Sequence, residues 1–161
     1  MILVDTSVWI ELLNRKPRLN ISEKDLLEFC TCGPVLQEVL QGLRDDPPAD
    51  AFRELFLSLP LLSDPLPADA FLMASDIYRR GRRKGFTIRS SVDCLIAAIA
   101  IENRIRVWHR DHDFDVIARF ADLRATQRVL RSNRVHGFCD GVAGGCCADI
   151  NWLHSSEIHW H

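Results

Sequence analysis

Met1-Ile2-Leu3-Val4-Asp5-Thr6-Ser7-Val8-Trp9-Ile10 opens the chain and decides how the rest is read. The four apolar residues form a short, fully buried strand that delivers Asp5 at its carboxyl end. A second apolar run, Ile105-Arg106-Val107-Trp108, reads as another strand, with Asp111 just beyond its end. In open α/β sheets, ligands bind in the crevice outside the carboxyl ends of the strands. Asp5 and Asp111 are therefore candidates for chemistry from their placement alone.

Helical stretches fill the space between these runs. Ser7 to Arg15 is a short helix with apolar residues at 8, 9, 12 and 13, ended by Pro17. A brief strand follows around Phe29 to Thr31. Gly33-Pro34 opens a helix through Leu43, with proline in the first turn, where a missing N–H costs nothing. Ala49 to Leu59 and Ala68 to Lys84 are two more helices, separated by a proline-punctuated segment with room for a short strand. Ser90 starts a helix running to Asn103, and Phe114 to Phe120 is the last. Helices alternating with short apolar strands predict an α/β sandwich on a mainly parallel sheet.

The chain has 161 residues, enough for one domain with its own core. Its apolar content of 47% and charged content of 26% are those of a soluble globular protein. A formal charge of −2 gives no global attraction to nucleic acid, so such binding must rest on a local basic patch. No apolar run approaches the ~18 residues of a membrane span, and Asp5 interrupts the apolar start a signal peptide needs. The expectation is a cytoplasmic protein with no membrane partner. Six cysteines include no C-x-x-C pair, which favours incidental buried thiols over zinc or disulfides. From Ser132 to His161 the chain is glycine-crowded and without period, so the folded domain is placed at residues 1–131 and this tail outside it. Its His136, Cys139, Cys146, Cys147, His154, His159 and His161 match no standard zinc finger.

Two further acids join Asp5 and Asp111. Glu38 lies beside the apolar face Val35, Leu36, Val39, Leu40, Leu43, with small Gly42 one turn on. Asp93 is the third residue after Ser90 and fits a capping box. Each acid alone has a bland explanation: Asp5 as a helix N-cap, Glu38 as a solvated surface residue, Asp93 as a cap, Asp111 as part of a polar loop with Asp113 capping the helix from Phe114. Convergence changes the balance, because each close pair of carboxylates repels by about 4 kcal/mol at 4 Å with an effective dielectric near 20. Such a cluster needs a counter-charge, and oxygen-only ligands select Mg²⁺ or Mn²⁺ over zinc.

Four segments together resemble a known family. Val4-Asp5-Thr6-Ser7-Val8-Trp9-Ile10, Pro34 to Gly42, Ser91-Val-Asp93-Cys-Leu-Ile-Ala-Ala and His109-Arg-Asp111-His-Asp113-Phe-Asp115 are similar, in order and spacing, to the acidic motifs of PIN domains, specifically the VapC toxins of bacterial toxin–antitoxin pairs. The resemblance covers about residues 1–130. It implies a PIN-like three-layer α/β/α sandwich and a Mg²⁺- or Mn²⁺-dependent endoribonuclease that cuts tRNA or ribosomal RNA. It also implies a homodimer and a cognate antitoxin partner. Asp5, Glu38, Asp93 and Asp111 match the acidic quartet. Asp5, Asp93 and Asp111 would hold metal with Asp113 as auxiliary, Thr6 or Ser7 would give polar support, and Glu38 would orient or deprotonate the attacking water. Such toxins usually end near residue 130 to 135, which leaves the tail without a counterpart.

RNA needs positive charge, and Arg79, Arg80, Arg82, Arg83, Lys84 and Arg89 form a basic run just before Asp93. A solvated helix end explains such a run equally well. Two competing functions remain open. A Mg²⁺ phosphatase of the HAD type also starts with a strand ending in Asp, but needs a second Asp where this chain has Ser7. A protein-interaction module with a weak PIN-like site could use the apolar helices at 52–59 and 70–73. His109 and His112 could touch substrate, but loop histidines more often have no specific task.

Overall fold

A computed structural model describes residues 1–14, 19, 21–43 and 47–127. The expected domain end at 131 and the tail 132–161, with its cysteines and histidines, lie outside the described residues. In chain order the elements are β1 (Ile2–Val4), α1 (Thr6–Leu12), α2 (Glu23–Leu26), β2 (Phe29–Cys32), α3 (Gly33–Gly42) and α4 (Pro47–Leu57). Then come β3 (Leu61–Leu62), α5 (Ala68–Arg83), α6 (Ser91–Glu102), β4 (Arg106–Trp108), α7 (His112–Ala118) and β5 (Ala125–Thr126).

The five strands form one sheet in the order β3-β2-β1-β4-β5, and every pairing is parallel. β1 is central, with Leu3 opposite Cys30 on one side and Val107 on the other. That position explains its unbroken apolar run: Leu3 and Val4 are fully buried. From β1 the chain steps outward through β2 to β3, then returns across the sheet to β4 and on to β5. Right-handed crossovers put the helices of the outward path on one face and those of the return path on the other. The architecture is the predicted three-layer α/β/α sandwich. β5 has no counterpart in the sequence reading, because a two-residue strand, Ala125-Thr126, carries no readable period.

The order of the strands reverses between β1 and β4, which is where a doubly wound sheet opens its binding crevice. The main chain closes the floor of this crevice, with Asp5 N–H donating to the Trp108 carbonyl at 2.9 Å. Helices rim it in a chain of contacts, α1 on α3, α3 on α6 and α6 on α7. α6 is the interior helix. Residues 93–100 are buried apart from Leu95, which is why the segment reads as apolar on all sides. Ala97 and Ala98 are fully buried within it, so their small size serves packing rather than contact with a ligand.

Trp9 fixes α1 against the outward face. Its ring meets Phe29, Phe52 and Phe56 edge-on at centroid distances of 6.0, 5.8 and 5.1 Å. Its Nε1–H donates to the Val4 carbonyl at 3.2 Å. One side chain thus joins β1, β2 and α4 to the helix that starts at Asp5. Trp9→Ala is expected to lower stability by about 3–5 kcal/mol in urea unfolding. Leu57→Ala, at a side chain that is 54% exposed, is expected to change it by no more than about 0.5 kcal/mol.

Candidate active site

A cleft of about 510 Å³ opens at the carboxyl ends of β1 and β4. Asp5, Glu38, Asp93 and Asp111 all line it, with Thr6, Ser7 and Ser90 between them and Ile10, Gln41 and Gly42 at the rim. The four acids expected from sequence therefore share one wall system, although they come from four different elements.

Asp5 is 3% exposed and is the N-cap of α1. Its Oδ2 accepts from the Ser7 main-chain N–H at 3.0 Å and from the Ser7 hydroxyl. Ser7 Oγ in turn accepts from the Arg110 N–H at 3.0 Å, so the hydroxyl links the ends of β1 and β4. Burial raises the Asp5 carboxyl above its ordinary range, the Ser7 hydrogen bonds oppose that, and the Glu38 carboxylate adds repulsion. Glu38 comes from α3, half-buried beside the apolar face that buries Val35 and Val39. The Thr6 hydroxyl holds it, donating to Oε2 at 2.7 Å.

The capping box expected between Ser90 and Asp93 forms only by half. Ser90 Oγ accepts from the Asp93 N–H at 3.1 Å. The Ser90 N–H donates instead to Asp113 Oδ2, at 3.1 Å. Asp93 is thereby released from capping, and its Oδ2 is buried with no hydrogen-bond partner among the described residues. Burial first, and the Asp5 carboxylate second, push the Asp93 carboxyl up to about 7.

The loop after β4 differs from its sequence reading at two points. Asp111, not Asp113, is the N-cap of the last helix, and its Oδ1 accepts from the Asp113 N–H at 2.9 Å. Asp113 is 2% exposed and ties the 89–90 segment to α7. Its Oδ2 takes the Arg89 N–H at 2.7 Å as well as that of Ser90, and its Oδ1 faces Arg89 Nε at 3.4 Å. His109 is also not an idle loop histidine. It is fully buried, with Nδ1 2.7 Å from the Asp111 carbonyl; a carbonyl only accepts, so Nδ1 carries the proton. Its Nε2 lies 3.7 Å from Asp115 Oδ1, beyond hydrogen-bond reach. No pattern in the sequence distinguishes this histidine from exposed His112.

Oxygens of Asp93, Asp111 and Asp113 lie within 4.8 Å of one another. All three donors are carboxylate oxygens, a set suited to a hard divalent cation. Cys30, Cys32 and Cys94 are buried free thiols, pushed up by desolvation to about 11, 12 and 11, and they supply no ligand to the cleft.

The basic run divides. Arg80 donates to the Phe120 carbonyl at 2.8 Å and pairs with Asp76 at 3.6 Å, which ties α5 to the end of α7. Arg83 also faces Asp76, at 3.9 Å, and Arg82 lies 6.0 Å over the Tyr78 ring. Arg79 and Lys84 are exposed. None of these five lines the cleft. Arg89 does reach the acids, with Nη2 at 3.1 Å from Asp111 Oδ1.

A crevice of carboxylates at the switch point of a parallel sheet is the arrangement of a PIN domain. Residues 2–120 match the PIN-domain family model, and the chain belongs to that family. Within the family it is similar to the curated VapC proteins. It is 40% identical over 131 residues to ribonuclease VapC11 of Mycobacterium tuberculosis and to VapC ribonuclease Mb1587 of Mycobacterium bovis, covering 78% of this chain and 97% of each relative. Solved structures share the fold. VapBC2 from Rickettsia felis, bound to a promoter DNA fragment, superposes with a TM-score of 0.59 at 19% identity, over 78% of this chain and 98% of that one. Mycobacterium tuberculosis VapC20, a sarcin–ricin loop cleaving toxin, gives 0.53 at 24% identity, over 77% and 99%.

The raised Asp93 carboxyl makes a pH prediction for the protein in excess chelator. Between pH ~4, where an unfolded aspartate loses its proton, and about 7, where the folded one does, the native state binds the extra proton. The contribution of Asp93 to stability is therefore most favourable below that window and is lost as pH rises through it, by on the order of a few kcal/mol. Asp93→Asn removes this part of the pH dependence. Thermal melts in EDTA between pH 5 and 8 should show the variant gaining on the wild type as pH increases.

Proposed function

We propose that this chain is a divalent-metal-dependent endoribonuclease, the toxin of a toxin–antitoxin pair, with tRNA or ribosomal RNA as its substrate class. The observation that carries the reading is a buried Asp93 oxygen with no partner among the described residues, on an acid that lines one cleft with Asp5 and Asp111. A folded protein tolerates that crowding when a cation shares it. Mg²⁺ or Mn²⁺ fits the donor set, and the curated relatives are named as ribonucleases.

Asp5, Asp93 and Asp111 are the metal-holding groups in this reading. Asp113 is auxiliary, because its oxygens already hold the Arg89 and Ser90 amides and it contributes mainly charge and position. A divalent ion bound there supplies Lewis-acid stabilisation of the phosphate and lowers the pKa of a water. Glu38, steadied by Thr6, faces the same space from α3 and takes the proton of the attacking water. Ser7 keeps Asp5 oriented while it binds. The cationic end of α5, with Arg79, Arg82, Arg83 and Lys84, supplies the surface along which the RNA backbone lies, and Arg89 meets the phosphates nearest the cleft.

Partners follow from the same reading. Several solved structures of similar fold are complexes of the VapBC kind, which supports a cognate antitoxin. Phe71, Leu72 and Met73 are exposed together on α5, which supports an apolar contact with the antitoxin or with a second copy in a homodimer. No helix among the described residues is long and apolar enough to cross a membrane; a cytoplasmic site of action fits an RNA substrate.

Asp93→Asn is expected to reduce Mg²⁺-dependent RNA cleavage to background. Mn²⁺ should raise the melting temperature of the wild type but not of the variant, since only a native-state ligand stabilises. A variant that stays folded, cuts RNA and still responds to Mn²⁺ would refute the assignment. Replacing Arg82 and Arg83 together by Gln should weaken RNA binding and flatten its dependence on log[salt] by about 0.7 for each phosphate left without its arginine. An unchanged salt slope would remove α5 from the RNA path.

A further inference from the structure

Among the described residues of the basic run, Arg89 alone sets its guanidinium against the cleft acids. Nη2 lies 3.1 Å from Asp111 Oδ1, and Nε lies 3.4 Å from Asp113 Oδ1. The two acids depend on it very differently. Asp113 is 2% exposed at its side chain, and its Oδ2 is held by the main-chain N–H groups of Arg89 and Ser90, at 2.7 and 3.1 Å. Those bonds survive any movement of the guanidinium. Asp111 is 38% exposed at its side chain and lines the cleft. Its loop is also fixed without Arg89, through the Asp113 N–H on Oδ1 and the His109 ring on its carbonyl. The Arg89 side chain is itself 67% exposed on an anchored backbone.

An arginine is permanently charged, and its fork matches a phosphate as well as a carboxylate. Placed on Asp111, it neutralises that carboxylate and sets a positive group beside the space where a divalent ion would bind. We infer that Arg89 is an exchangeable cation that competes with the divalent ion for Asp111 and yields it when a phosphate of the RNA takes the guanidinium. The inference rests on the metal-nuclease reading above. Its consequence is coupling: oxyanion and metal each strengthen the binding of the other, because both favour the state in which Arg89 has left Asp111.

The sign of one measurement separates this role from others. Mn²⁺ affinity is read by the EPR signal of free Mn²⁺ with the full chain at fixed ionic strength. Arg89→Gln should bind Mn²⁺ about two- to fivefold more tightly than the wild type, the range of an exposed ion pair. Arg89→Lys, which keeps the charge, should stay near the wild type. Arg124→Gln, just before β5 and so at the opposite end of the sheet, should leave Mn²⁺ affinity unchanged. Sulfate, a phosphate-like oxyanion, added against matched chloride, should tighten Mn²⁺ binding to the wild type and leave Arg89→Gln unaffected. Unchanged or weaker Mn²⁺ binding by Arg89→Gln overturns the competition, and weaker binding would make Arg89 a simple anchor of Asp111. An equal sulfate effect in both proteins overturns the exchange. A wild type that binds no Mn²⁺, with Asp93→Asn indistinguishable from it, removes the metal reading itself and this inference with it.

Discussion

Carboxylates brought together in a shielded cleft repel one another, and the surroundings of the cleft are arranged to hold them there. Asp5 and Asp111 come from the ends of neighbouring parallel strands, Glu38 and Asp93 from the helices that rim them. A parallel sheet whose chain path reverses at β1 supplies that meeting point without any long loop. The restraints are short and local: Ser7 on Asp5, Thr6 on Glu38, the Asp113 amide on Asp111. Each costs little, and together they orient three of the four acids before any cation arrives. This is preorganisation, and it is the property electrostatic catalysis depends on.

Helix starts supply much of the orientation. Asp5 and Asp111 are N-caps, a role expected of Asp5 as the dull alternative to chemistry and of Asp113 rather than Asp111, and capping is what orients both carboxylates. The positive end of a helix also offsets some of their mutual repulsion. Asp93 shows the opposite solution. Asp113 takes the Ser90 amide that Asp93 would have capped, and this leaves Asp93, which lines the cleft, with one buried oxygen that has no partner among the described residues. A buried structural acid thereby sets a neighbouring acid free.

The central strands, the longer helices and the positions of the four acids were legible in the sequence because they rest on local pattern: apolar runs, caps and prolines. Helix limits moved by a few residues, as at α1, which ends at Leu12 rather than Arg15. What was not legible depends on contacts far apart in the chain. β5 exists because Val107 offers it an edge to pair with, not because Ala125-Thr126 has strand character. The exchange of amide partners between Asp93 and Asp113 needs residues 89–90 to lie against α7. His109 looks like any polar loop residue until the ring is seen beside Phe114, 5.1 Å between centroids. The basic run was readable as charge. Its division into helix-end pairs and one arginine among the acids was not.

The hydrogen bond from His109 to the Asp111 carbonyl has a practical corollary. The path of that loop is set through its backbone, and Asp111 Oδ1 needs only to accept from the Asp113 amide, which an asparagine oxygen does equally well. Charge and shape are therefore separable variables at this corner of the molecule. Isosteric amide replacements can titrate the anionic character of the crevice one step at a time while its contours persist, which makes the scaffold suitable for converting a hydrolase into an inert trap for its substrate.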